Sequence, residues 1–263
     1  MPLNDGLIAD LSELCIELAV EAASTAASGR SHQPTFTSAT KSSATDLVTQ
    51  FDQAAERFIR SQLSTQRPDD GIIGEEESDL TGTSGLTWIV DPIDGTTNFV
   101  FGLPAWGCSI AVARGDQLLA GAVHIPALSE TYSATSGQGA RCNGSVIAAS
   151  ATSSFETALI ATGFSYHPQR RARQGTTVAR LLPQVRDIRR SGSAAYDLCC
   201  VAAGTVDGYY EENLSLWDIA AGALIAREAG ARVEYSPSGA RTNIALVASS
   251  PDIFELLRSF VDD

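Results

Sequence analysis

The chain contains no run approaching the ~18 consecutive apolar residues that a bilayer-spanning helix needs. Its first thirty residues also lack a basic stretch followed by an apolar one, and carry Asp5, Asp10, Glu13 and Glu17 instead. That is not a signal peptide, so a cytoplasmic protein is expected. Basic side chains are few: 18 Lys and Arg stand against 31 Asp and Glu, a formal charge of −13. A surface of that sign repels nucleic acid and anionic membranes, and neither is expected as a partner. Histidine is scarce, with His32, His124 and His167 scattered along the chain, and nothing points to Ser-His-Asp chemistry. The five cysteines are odd in number and show no C-x-x-C spacing. A disulfide framework or a zinc site is therefore not expected, and the thiols should be buried and apolar. There are no internal repeats or low-complexity tracts.

What is present suits an ordinary globular protein: 263 residues, 44% apolar and 19% charged, enough for one large domain or two tightly packed halves. Leu7, Leu11, Leu14, Leu18 and Ala22 recur at helical spacing and predict a helix over 5–28 stopped by Gly29. A polar loop is expected over 30–44, then a helix over 47–63 with Phe51, Ala55, Phe58 and Ile59 on one face. The apolar run 86–90 ends in Asp-Pro and predicts a buried strand running into a turn. A hairpin follows, its strands at 108–113 and 118–124 joined by Arg-Gly-Asp-Gln, and the Gly-rich segment 132–143 adds a strand and turn. Near 149–157 the pattern changes, which divides the chain into an α+β half (1–150) and an α/β half (151–263). The second half should hold strands at 159–162, 206–211 and 245–249, and helices at 174–182, 192–203, 216–229 and 252–261. The class is α/β.

Three segments concentrate carboxylates beside these strand ends and helix starts: Gly74-Glu75-Glu76-Glu77-Ser78, Asp91-Pro92-Ile93-Asp94-Gly95-Thr96-Thr97-Asn98, and Glu211-Glu212 through Trp217-Asp218. In the middle one, Asp91 emerges at the end of a strand and Asp94 returns a second carboxylate three positions later. Gly95-Thr96-Thr97 then opens a helix start whose N–H groups suit phosphate. Paired hard carboxylates suit Mg²⁺, and two such ions would polarise a phosphate and activate a water for in-line attack. With the chain so acidic, and no histidine or cysteine expected at the site, metal ions are the obvious counter-charge. Each piece also has a plainer reading: Asp-Pro and Asp-Gly are turn formers, Glu75–Glu77 an acidic surface loop. Ser215-x-x-Asp218 and Thr49-x-x-Asp52 both fit helix capping boxes. Those readings do not account for all the pieces occurring together.

The same residues resemble the inositol monophosphatase family of metal-dependent, lithium-sensitive phosphatases, over nearly the whole chain. Lys41-Ser42-Ser43 with Asp46-Leu47-Val48-Thr49 and Asp52 is similar to its first segment, and Gly74-Glu75-Glu76 to its Gly-Glu-Glu-Ser motif, here with Glu77 inserted before Ser78. Trp88 through Phe99 matches the main signature and Trp217-Asp218-Ile219-Ala220-Ala221-Gly222 the C-terminal one. The resemblance implies a layered α/β/α/β/α sandwich, a homodimer, and two or three Mg²⁺ ions acting on a small-molecule phosphate, inositol 1-phosphate above others. It implies that Glu75, Asp91 and the Ile93 carbonyl hold one metal, that Asp91, Asp94 and Asp218 hold a second, and that Glu75 contributes to a weaker third. Thr96 with Asp52 would activate the water, which places them with Glu75 in the catalytic set. Gly95 and Thr96 N–H groups would bind phosphate. Asp94, Gly192, Ser193, Ala194 and Glu211 fall at ring-contacting positions, with Ser193 replacing a Thr.

Other enzyme classes fit poorly. An aspartyl-phosphate phosphatase needs Asp-x-Asp-Gly-Thr, and the spacing here is one residue longer; no cysteine has the Arg six positions on that a Cys-x5-Arg phosphatase needs. Histidinol phosphate, fructose 1,6-bisphosphate and adenosine 3′,5′-bisphosphate are the alternative substrates within the family. Outside enzymes, the alternative is a catalytically silent dimeric regulatory protein.

Overall fold

The N-terminal amphipathic stripe forms α1 (Asp5–His32), started by Asn4, whose side chain accepts the Leu7 N–H at 2.8 Å. Leu11, Leu14, Leu18 and Ala22 are buried along one face, each Leu worth roughly 1.5–3 kcal/mol on removal from water. Gly29 does not stop this helix. It lies within it, at a position where a Cβ would come 2.6 Å from a ring carbon of Phe51. The computed structural model of the chain describes residues 4–33, 38–40, 47–236 and 239–261. Lys41-Ser42-Ser43 and Asp46 of the first motif lie outside the described residues.

The loop expected over 30–44 contains β1 (Ser38–Thr40), paired antiparallel with β2 (Leu47–Thr49). The second helix therefore starts later than its apolar pattern suggests, as α2 (Gln50–Gln66) with Thr49 as N-cap. Its buried face is Asp52, Ala55, Glu56, Ile59 and Leu63, so two carboxylates one turn apart point inward with the apolar residues.

Seven strands form the first sheet: β3 (Gly71–Gly74), β4 (Thr87–Asp94), β5 (Gly107–Arg114), β6 (Gln117–Ile125), β7 (Glu130–Thr135), β8 (Ala140–Cys142) and β9 (Ser145–Ile147). They lie in chain order, antiparallel except for the parallel β3–β4 pair. β4 does not end at Asp91 as its Asp-Pro suggests. It continues to Asp94 through a register shift between the two aspartates, where the missing N–H of Pro92 is tolerated. α3 (Thr96–Phe101) follows at once.

The second sheet has the order β11-β10-β12-β14-β13, from β10 (Leu159–Thr162), β11 (Asp187–Arg189), β12 (Gly208–Leu214), β13 (Arg232–Ser236) and β14 (Ile244–Ser249). β11, β10 and β12 run parallel and β12, β14 and β13 antiparallel. Three helices join these strands, α4 (Pro168–Leu181), α5 (Ala194–Ala202) and α6 (Leu216–Glu228), and α7 (Phe254–Val261) follows the last strand.

Three cores define the layers. Leu11, Leu18, Ile59 and Leu63 of α1 and α2 meet Trp88, Val90, Ile110 and Val112 on the outer face of the first sheet. Its inner face, with Ile89, Ala111 and Val123, packs on α5 and α6, which in turn meet Tyr209, Leu246 and Ala248 of the second sheet. Ile160, Tyr210 and Val247 on the far side are covered by Leu181, Phe254 and Leu257 of α4 and α7. The result is a layered α/β/α/β/α sandwich. No helix among the described residues is long and apolar enough to cross a membrane. The five cysteines are free thiols, four of them buried, and burial pushes Cys15 and Cys108 well above the ordinary thiol range.

Candidate active site

At one edge of the sandwich, the end of β4, the start of α3, the end of β12 and the start of α6 surround a cavity of about 510 Å³. The register shift in β4 brings both Asp91 and Asp94 to its wall. Asp91 Oδ1 accepts the Ile93 N–H at 3.0 Å, so Asp91 forms the local turn and lines the cavity at the same time. Gly95 caps α3 at φ 89°, a left-handed conformation that disfavours a side chain. A Cβ there would also come within 3.2 Å of the Gly192 carbonyl and the Ser193 Cβ. α3 has only six residues, so its dipole adds less at this end than the sequence suggests.

Glu75 follows β3 and reaches the cavity half-buried, whereas Glu77 is exposed, so the acidic loop is surface at one end only. On the opposite wall, Asn213 at φ 67° makes an irregularity in β12 and turns the chain into Ser215 and α6. Ser215 and Asp218 form the capping box, with the Ser215 N–H donating to Asp218 Oδ2 at 2.7 Å. Ser109, opposite Asp91 in the β4–β5 ladder, donates to the Trp217 carbonyl at 3.3 Å and ties the two walls together.

Ten of the twelve side chains or backbone groups expected at the site line this cavity: Glu75, Asp91, Ile93, Asp94, Gly95, Thr96, Gly192, Ala194, Glu211 and Asp218. Asp52 and Ser193 do not; each stands behind a lining residue. Asp52 Oδ1 accepts the Thr96 hydroxyl at 3.1 Å, and its Oδ2 takes the Thr49 N–H and hydroxyl. Ser193, expected at the ring, is buried and donates instead to Asp94 Oδ2 at 2.6 Å, beside the Ala195 N–H at 2.7 Å. The expectation of a site without histidine needs correction. His167, Arg170 and Arg190 line the cavity, with Tyr166 and Asn243. Residues 163–167 follow the C-terminal end of parallel strand β10, where α/β sheets place ligand loops, and that position was the available signal.

Burial governs the electrostatics. It pushes Asp94 up to about 6, against the pull of its Ser193 and Ala195 bonds and with the Glu75 charge adding to the rise. Asp218 is raised well above the usual carboxylate range by burial, then by Asp94 and Glu75. Glu211 rises to about 7 through burial, countered by the Tyr209 hydroxyl at 2.7 Å and by Arg190. Its carboxylate lies where a Cβ on Gly163 would be 1.7 Å from Oε2. Asp197, behind the wall, rises to about 8, again chiefly by burial. Six carboxylates line this cavity, and Asp94 and Asp218 are raised partly by the charge of their neighbours, Glu75 for both and Asp94 for Asp218; such a set suits a hard divalent cation with oxygen ligands. Among the described residues no three acidic, His or Cys side chains close into a ready ligand cluster. Uncompensated like charges favour separation.

Comparison with known proteins shows the family. The sequence model of the inositol monophosphatase family matches residues 9–252. Inositol-1-monophosphatase SuhB of Mycobacterium tuberculosis is 45% identical over 227 residues, covering 82% of this chain and 78% of its own. The Nus factor SuhB of Escherichia coli is 37% identical over 238 residues, 88% of each. The structure of the extragenic suppressor protein SuhB of Bartonella henselae superposes with a TM-score of 0.88 at 33% identity, over 95% of this chain and 98% of that one. The chain belongs to the inositol monophosphatase family and is a metal-dependent phosphatase of that type.

Proposed function

We propose that this phosphatase uses Mg²⁺ to hydrolyse inositol 1-phosphate, as a homodimer sensitive to lithium. The observation that carries the reading is the convergence of Glu75, Asp91, Asp94, Asp218, Thr96 and Glu211 on one cavity. Glu75, Asp91 and the Ile93 carbonyl would hold one ion, Asp91, Asp94 and Asp218 a second, and Glu75 a weaker third. When bound, these ions supply the positive charge that a phosphate needs among carboxylates and lower the pKa of water at the site. Thr96 Oγ1 donates to Asp52 Oδ1 and keeps a lone pair for a water in the cavity, which it orients. The water oxygen bonds to phosphorus as the P–O bond to the alcohol breaks, and the leaving alkoxide takes a proton from solvent water in the open cavity. Thr96 Oγ1 takes the water's proton and passes its own to Asp52 Oδ1. The Gly95 and Thr96 N–H groups bind phosphate oxygens.

Asp94 Oδ2 is occupied by Ser193 and Ala195, which leaves Oδ1 for a ring hydroxyl. Glu211 accepts a second one, and Gly192 and Ala194 give a small neutral wall. Histidinol phosphate would bring a cationic amine and an imidazole, for which the small neutral Gly192–Ala194 wall offers no partner. A phosphate-release screen with and without Mg²⁺ tests this directly. Inositol 1-phosphate should show higher kcat/KM than histidinol phosphate. Glu211→Gln should raise KM for the polyol several-fold and leave an aryl phosphate nearly unchanged. Equal turnover of histidinol phosphate would overturn the substrate assignment. The name Nus factor SuhB of one relative favours a second reading, a regulatory protein without turnover. Against it stands the complete carboxylate set, and failure to release phosphate from any substrate with Mg²⁺ would support it.

A further inference from the structure

α2 carries a second buried carboxylate that none of these roles uses. Glu56 is fully buried, one helical turn from Asp52 on the same face. Its Oε2 accepts the Glu76 N–H at 2.7 Å and its Oε1 the Glu77 N–H at 3.1 Å, the two residues that follow Glu75. Arg60, one turn further along α2, donates its Nε to Glu56 Oε1 at 2.8 Å and a terminal nitrogen to the Glu77 carbonyl at 3.1 Å. The inserted Glu77 adds a side-chain ion pair to the same Arg60 at 3.6 Å. The chain also passes so close that a Cβ on Gly74 would stand 2.1 Å from Glu56 Oε1. This loop leaves an edge strand, and its ends are pinned by paired N–H···O bonds between Ile72 and Leu80 at 2.8 Å. Between those pins, Glu56 and Arg60 hold its middle.

We infer that Glu56, braced by Arg60, is a positioning residue for metal binding: it binds the backbone that follows Glu75, packs against Gly74 before it, and so sets where the Glu75 carboxylate stands. The inference rests on the reading of Glu75 as a metal ligand. A carboxylate suits the task because both oxygens accept, whereas a Gln would turn an amide donor towards one of the two N–H groups. α2 thereby positions two separate parts of the site, Thr96 through Asp52 and Glu75 through Glu56. Outer contacts of this kind typically weigh ~10–100-fold in metal affinity.

The test is Mg²⁺ binding to the full chain by titration calorimetry, beside the Mg²⁺ concentration giving half-maximal phosphate release. Glu56→Gln should weaken binding by about 10–100-fold, raise the half-maximal concentration in parallel, and leave kcat at saturating Mg²⁺ nearly intact. Arg60→Gln, at a partly exposed position, should weaken binding less and remain folded. The control is Glu228→Gln. Glu228 likewise holds a turn by two backbone N–H groups, those of Gly137 and Gly139 at 2.8 and 2.9 Å, but that turn carries none of the proposed ligands. Its loss should leave Mg²⁺ affinity unchanged. Wild-type affinity in folded Glu56→Gln, or in Arg60→Gln if the first variant does not fold, would overturn the inference, as would an equal loss in Glu228→Gln. Failure of the underlying reading looks different: Glu75→Gln would then bind Mg²⁺ as tightly as wild type.

Discussion

Two helices of this molecule begin with the same local motif, yet their N3 aspartates live in opposite circumstances. Thr49-x-x-Asp52 opens α2 and Ser215-x-x-Asp218 opens α6, and both form capping boxes. Asp52 is fully buried and surrounded by donors: the Thr49 N–H, the Thr49 hydroxyl and the Thr96 hydroxyl. Asp218 is half-buried at the cavity, accepts the Ser215 N–H, and faces the charges of Asp94 and Glu75. One carboxylate is satisfied by the fold, while the other is left in need of a cation. A capping motif therefore does not argue against a functional role; what the second carboxylate oxygen meets decides that role.

The contrast breaks most sharply under paired substitutions. Asp218→Asn keeps a capping side chain and removes a charge, so activity should fall by several orders of magnitude. The thermal midpoint of the chelator-treated protein should rise at pH 8, because a repelled charge is gone. Asp52→Asn should do the reverse to stability, turning an amide donor towards hydroxyl or N–H donors at a cost of about 1–3 kcal/mol. A lower midpoint for Asp218→Asn, or a higher one for Asp52→Asn, would erase the distinction. Thr96→Val then tests the link between Asp52 and the cavity. It keeps the shape, removes the hydroxyl, and should lower kcat by ~10²–10⁴ with little change in Mg²⁺ affinity. A variant retaining more than half its rate would clear Thr96 and Asp52 of water activation.

Much of this was legible in the sequence because the motifs are local. The strands and helices of the second half fell near their predicted places, since apolar runs and periodic faces bounded by Gly and Ser mark them. The short strands β3, β11 and β13 were missed: three to five residues carry too little periodicity to stand out. Glu56 was illegible for another reason. In a helix of Arg, Gln and Glu it looks like one more solvated acid, and only the returning 74–77 loop gives it two N–H groups to bind. The bond from Ser193 to Asp94 was illegible because sequence position alone does not tell which way a helix-capping hydroxyl turns. Arg190 and His167 escaped because neither belongs to a motif; only their places after the parallel strands β11 and β10 marked them.

The central claim is that the fold stores uncompensated carboxylate charge for Mg²⁺ to relieve. Asp94 is raised from 3.8 to about 6, Glu211 from 4.5 to about 7 and Asp197 from 3.8 to about 8, and Asp218 is raised as well. Acids whose folded pKa lies above the unfolded value contribute their stability at low pH and lose it as pH rises through that window. The chelator-treated protein should therefore lose thermal stability from about pH 4 to pH 8. Mg²⁺ should restore the share owed to Asp94 and Asp218, but not that of Asp197, which lies outside the proposed ligand set. The direct measurement is the thermal midpoint with chelator and with saturating Mg²⁺ at pH 5 and pH 8. The account predicts a Mg²⁺-induced increase of several degrees at pH 8 that shrinks strongly at pH 5. An equal increase at both values, or none at pH 8, would contradict it.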